Sequence, residues 1–95
     1  MSEPILTTLR RYVETTFLVV LDGGALSTNT NLFETGVIDS YGVVEMVSFI
    51  EAEFTVKLSD EELLSPELSS VDGMATLVAR KVAEARNDLH AVRSS

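Results

Sequence analysis

The sequence predicts an all-α fold, three longer helices with a short one before the last. Three observations carry that prediction. Apolar residues recur at helical spacing in three separate stretches, those stretches are bounded by glycine, proline or capping residues, and no second run alternates with the two-residue period of a strand. At 95 residues, with 45% hydrophobic and 23% charged side chains, the chain is read as one domain over 1–95, with a core at about 4–85 and a polar tail at about 86–95. No repeat occurs at the periods that mark solenoids.

The first helix is predicted from Pro4, because Ile5, Leu6, Leu9, Tyr12, Val13, Phe17 and Val20 fall on one helical face. Asp22-Gly23-Gly24 should end it after about five turns. The run Thr15 to Leu21 is rich in β-branched residues and reads as a strand on propensity alone, but it lacks a partner. Residues 22–39 form a long connection, with Leu26, Leu32, Phe33, Val37 and Ile38 spaced to pin it to a core.

The second helix should run from Ser40 to Phe54. Val43, Met46, Val47, Ile50 and Phe54 form its apolar stripe, and Val44, Glu45, Ser48, Glu51 and Ala52 its outer face. Ser59 to Leu64 is a capped, acid-led turn, and Ser65-Pro66-Glu67-Leu68 repeats the pattern with proline at the first helical position. The last helix begins near Ser69 to Asp72 and runs through Met74, Leu77, Val78, Lys81, Val82 and Ala85, fraying from about Arg86.

The net charge of −8 removes the basic footprint that nucleic-acid binding needs. Between Asp22 and Asp72 eleven acidic side chains face a single basic one, Lys57, so the middle of the chain is an anionic surface that favours a basic partner. A solvated face that keeps a small protein soluble gives the same pattern. Cysteine is absent, which excludes disulfides, thiolate metal sites and cysteine nucleophiles. No stretch reads as a signal peptide or a bilayer span, so the expected location is the cytoplasm.

Little in the sequence suits an enzyme. His90, the only histidine, sits in the polar tail beside no recognisable nucleophile. Glu51 with Glu53, and Asp60 to Glu62, lack calcium-loop spacing and read as surface or helix N-terminal charge, so no metal site is expected. Asp39-Ser40 is better placed. A serine in the first turn of a helix after a long loop has an exposed hydroxyl beside unpaired N–H groups, and the helix dipole favours a phosphate there. A helix-capping serine would look the same, and Asp39 is an alternative cap.

Leu32-Phe33-Glu34-Thr35-Gly36-Val37-Ile38-Asp39-Ser40, followed by Val43-Val44-Glu45-Met46-Val47 and Ile50-Glu51-Ala52-Glu53-Phe54, resembles the acyl carrier protein family. Val56 to Leu63, Pro66-Glu67-Leu68 and Ser70-Val71 extend the resemblance, which covers residues 4–85. It implies a four-helix bundle in which Ser40 receives 4′-phosphopantetheine from coenzyme A through a separate, magnesium-dependent phosphopantetheinyl transferase. Asp39 would help that enzyme organise its site. Tyr41, Val44, Glu45, Ser48 and Glu51 would meet partners: the transferase, a thioester-forming ligase or acyltransferase, and downstream enzymes. The arm's thiol would supply the sulfur this chain lacks.

Two positions depart from the family pattern. Tyr41 stands where leucine is usual, and Gly42 where fatty-acid carriers often have an acidic residue. The combination is more like free-standing carriers of dedicated pathways, loaded with an aminoacyl or specialised acyl group. Tyr41 is open to three readings: packed over the arm, in contact with a partner, or a partly buried aromatic beside the loop. The expectation is a monomeric, non-enzymatic carrier of undetermined cargo. The alternative is a helical interaction domain of the same fold without a prosthetic group. Met46, Val47, Phe49, Ile50 and Met74 would line any chain-binding cavity, but the core needs them first.

Overall fold

The structure, a computed structural model, describes residues 4–94, with side chains through residue 85. It contains α1 (Ile5–Phe17), α2 (Ser40–Phe54), α3 (Asp60–Leu63) and α4 (Val71–Ser94), with a 3₁₀ turn at Pro66–Ser69 between the last two. No strand occurs among the described residues, and no helix is long and apolar enough to cross a membrane. This is the all-α, four-helix arrangement the sequence predicts. α4 forms the centre of the packing, touching α1, α2 and the 3₁₀ turn, and its Val71, Met74, Leu77 and Val78 are fully buried.

Pro4 occupies the N-cap of α1, and Leu9 and Val13 are its fully buried residues. The helix stops at Phe17, earlier than Asp22-Gly23-Gly24. Leu18 turns left-handed (φ 57°, ψ 49°), donating its N–H to the Glu14 carbonyl, and Val19 N–H reaches the same oxygen at 3.2 Å. The Glu14 carboxylate then accepts Leu21 N–H at 2.7 Å. Through this turn Leu21 enters the core, where it is 2% exposed. Of the strand-prone run Thr15 to Leu21, residues 15–17 are the end of α1, and Val19 to Leu21 are neither strand nor helix.

α2 has the predicted bounds and ends by the same device. Thr55 is left-handed (φ 54°, ψ 51°) and donates to the Glu51 carbonyl, as does Val56 N–H at 3.3 Å. The Glu51 carboxylate accepts Leu58 N–H at 2.9 Å, and Leu58 is 5% exposed. Residues 14–21 and 51–58 share the pattern Glu-x-x-Phe-x-Val-x-Leu, and their burial agrees at every position.

The connection before α2 is pinned to the core as its apolar spacing predicts. Leu32 and Ile38 are buried, although Phe33 is 39% exposed. Leu32 N–H donates to Ser69 carbonyl at 2.7 Å, and Thr28 carbonyl accepts Asp72 N–H at 2.8 Å, supplying a first-turn partner for α4. Asn31 Oδ1 accepts the N–H groups of Phe33 and Glu34, closing a local turn.

Both short helical turns form. Ser59 and Glu62 make a reciprocal capping box on α3, and Ser65 caps the 3₁₀ turn. Lys81 of α4 pairs with Glu62 at 3.0 Å and Arg80 with Glu67 at 2.7 Å. α4 presses so closely on the 3₁₀ turn that a Cβ at Gly73 would collide with the Glu67 carbonyl oxygen. The helical backbone continues to Ser94, past the expected fraying point at Arg86; Ala83, Ala85, Leu89 and Ala91 are strong helix formers. The readings of 86–95 as a tail and of His90 as an exposed residue fall on side chains outside the described residues.

Candidate functional site

The start of α2 places Asp39 and Ser40 differently, although they are neighbours in sequence. Asp39 is the N-cap, in extended conformation (φ −100°, ψ −176°), and its carboxylate accepts Gly42 N–H at 2.8 Å. Ser40 is the first helical residue. Its side chain is exposed, and its hydroxyl makes no hydrogen bond among the described residues. The capping explanation of Ser40 therefore fails: Asp39 does the capping, and the serine oxygen stands clear of the chain. In the first turn, capping uses Gly42 N–H, while the N–H groups of Ser40 and Tyr41 lie in the unpaired part of the helix end.

Two features hold this geometry. Behind it, buried Ile38 anchors the connection, its N–H donating to the Leu32 carbonyl at 3.1 Å. From the side, Phe17 of α1 packs on Gly42: a Cβ there would lie 2.8 Å from Phe17 Cε1 and 3.4 Å from Asp39 Oδ1. Gly42 thus has a structural cause beyond any partner preference. Glycine lets an aromatic ring from α1 come up against the first turn of α2. The sequence held Phe17 and Gly42 in plain view, but they are 25 positions apart and nothing local joins them.

Along the outer face, Tyr41 (82% exposed) and Val44 (62%) stand in solvent, with Glu45 and Ser48 also exposed. The partly buried reading of Tyr41 does not hold. Glu45 and Asp39 enter no ion pair among the described residues, so the negative charge around Ser40 is not internally neutralised. Glu51 lies on the same helix but is half-buried, with its carboxylate on Leu58 N–H. Its first duty is to the end of α2.

Next to this face, Tyr12 stacks on Phe49 with ring centroids 4.0 Å apart. Burial pushes the Tyr12 phenol above its ordinary value of 10.0; a hydrogen bond with Thr16 opposes the rise and the charge of Glu45 adds to it. The residues weighed as cavity lining are core residues first: Met46, Ile50 and Met74 have no exposure, and Val47 and Phe49 pack against that core.

The family model described as the phosphopantetheine attachment site matches residues 7–78, more than half of the chain, spanning α1 through most of the buried part of α4. No curated protein and no solved structure matched significantly.

Proposed function

Because the chain belongs to the phosphopantetheine attachment-site family, whose members carry 4′-phosphopantetheine covalently, we propose that Ser40 is the serine that takes the group. The observation that carries this reading is the free hydroxyl: Ser40 is exposed and unbonded while its neighbour Asp39 caps the helix. Such an oxygen fits a phosphodiester. It projects from a rigid helix start, the first-turn N–H groups lie beside it, and the positive end of the helix dipole favours the added charge. Attachment would join Ser40 Oγ to phosphorus as the pyrophosphate bond of coenzyme A breaks, with the serine proton lost and the adenosine half leaving.

When bound, the arm supplies a thiol that holds an acyl or aminoacyl group as a thioester. The chain itself would do no chemistry on that cargo. Asp39 fixes the first turn, Phe17 on Gly42 fixes the turn against α1, and Val44, Glu45 and Ser48 with Tyr41 offer partners an acidic and apolar face. Glu51 would add charge to that face while holding Leu58. The filled core at Met46, Ile50 and Met74 and the exposed Tyr41 favour an aminoacyl or specialised acyl cargo presented outside the bundle. Partners would be a phosphopantetheinyl transferase, a thioester-forming ligase or acyltransferase, and downstream enzymes of a dedicated pathway. With coenzyme A as donor, we place the modification in the cytoplasm.

Intact mass after incubation with coenzyme A, magnesium and a broad-specificity transferase tests the reading. One added phosphopantetheine, lost in Ser40→Ala, is the expected result. No gain in folded wild-type protein means an interaction domain without a prosthetic group. Glu45→Lys should slow loading by partner enzymes with helical circular dichroism unchanged, since basic patches would read this face. Mass spectrometry of the protein isolated from its native cell identifies the cargo.

A further inference from the structure

The segments that end α1 and α2 have one frame and differ where that frame leaves side chains in water. At the left-handed position and two residues beyond it, the second segment has Thr55 and Lys57, and the first has Leu18 and Val20. The frame stands equally with polar side chains, so nothing in the fold calls for apolar ones at 18 and 20. Leu18 is nevertheless 88% exposed and Val20 63%. Leu18 is also held in a backbone conformation that penalises a Cβ and suits glycine or asparagine better. An exposed leucine on strained backbone points to a use outside the molecule.

Its position says what. Phe17, the chain neighbour of Leu18, lies against Gly42, two residues past Ser40, so Leu18 follows directly on the residue that packs against the first turn of α2, with Val20 two residues on. Asp39 and Glu45 are exposed at the start of α2, and neither is in an ion pair among the described residues. We propose that Leu18 and Val20 form a docking knob for the phosphopantetheinyl transferase that modifies Ser40, which meets them with an apolar socket ringed by lysine and arginine. This rests on the reading of Ser40 as the modified serine. The transferase is the occupant because it must bring its own groups to Ser40 Oγ. Enzymes that act on the arm's thiol also face Tyr41, Val44, Glu45 and Ser48 but need not approach Ser40 Oγ itself.

Exchanging the outward residues of one segment for those of the other tests the knob without disturbing the frame. The variant Leu18→Thr/Val20→Lys is compared with wild type as substrate of the source organism's transferase, at saturating coenzyme A. The Michaelis constant for the carrier should rise about tenfold, the effect of losing one well-buried aliphatic contact, with kcat unchanged. Thr55→Leu/Lys57→Val should leave both constants as they are. Leu18→Gly separates docking from folding: relief of the left-handed backbone should raise the melting temperature while the Michaelis constant also rises. A constant within twofold of wild type in the Leu18→Thr/Val20→Lys variant overturns the proposal. A wild-type sedimentation coefficient that grows with concentration and is flat in that variant overturns it in favour of self-association. If wild-type protein gains no phosphopantetheine at all, the carrier reading fails, and the knob with it.

Discussion

Residues 14–21 and 51–58 end two helices in the same way, and the comparison separates what a backbone turn requires from what its surroundings add. Both use a glutamate twice, its carbonyl for the left-handed turn and its carboxylate for the N–H of the leucine seven residues on. Both send that leucine into the core. They differ in company. Glu14 is also paired with Arg10 at 3.4 Å, and Phe17 reaches across to Gly42, while Phe54 packs edge-on to Phe49 at 6.5 Å. One helix ending thus supports the start of α2, the element that presents Ser40, and the other leads into α3. A repeated local solution has been given two tertiary tasks.

The sharpest way to break this equivalence is to empty the two core positions. Leu21→Ala and Leu58→Ala should each lower stability by about 2–5 kcal/mol in chemical denaturation; a loss confined to one of them would show that the shared frame does not carry shared weight. Next come the carboxylates. Glu51→Ala should cost about 1 kcal/mol by leaving Leu58 N–H without its partner, and Glu14→Ala should lower the melting temperature in the same direction. An unshifted transition in either means that water replaces the carboxylate fully. Replacing the left-handed residues tests the frame from the other side. Thr55→Gly should stabilise by about 1 kcal/mol and should exceed Leu18→Gly, because a β-branched residue tolerates positive φ least. A loss of stability would contradict the strain.

The smallest effect is on acid stability. The backbone N–H of Leu21, with help from Arg10, holds the Glu14 carboxyl below its ordinary value of 4.5. The Glu62 carboxyl is lowered by the Ser59 N–H and then Lys81, and Glu67 by Arg80. A carboxyl with a lowered folded-state pKa binds fewer protons folded than unfolded. Its contribution is complete above the unfolded value and disappears as pH falls through the folded one. Melting temperature should therefore hold from neutrality down to about pH 5 and fall below about pH 4.5, more gently in Glu14→Gln. A profile of Glu14→Gln that parallels wild type would remove Glu14 from this account.

How far the sequence could be read follows the range of each interaction. The bounds of α2 were legible because they depend on Asp39, Ser40 and an apolar stripe within fifteen residues. The caps of the two short turns were legible for the same reason. The end of α1 was not, since Val20 extends a plausible pattern and only the burial of Leu21 decides where the helix must stop. The second segment offered a clue that periodicity could not provide: Glu-x-x-Phe-x-Val-x-Leu occurs twice, 37 residues apart. In the sequence Glu51 reads as surface charge, because a carboxylate seven residues from its partner N–H leaves no helical signature.

By itself the sequence determined the helical class, the placement of a serine at the start of an acidic helix, and the likeness to carrier proteins, because each rests on neighbours in the chain. Only the tertiary structure decided that Asp39 caps the helix while Ser40 stays free, that Gly42 answers to Phe17, and that Glu51 holds a turn. Those outcomes depend on which groups meet in space, and burial and hydrogen bonding are settled there.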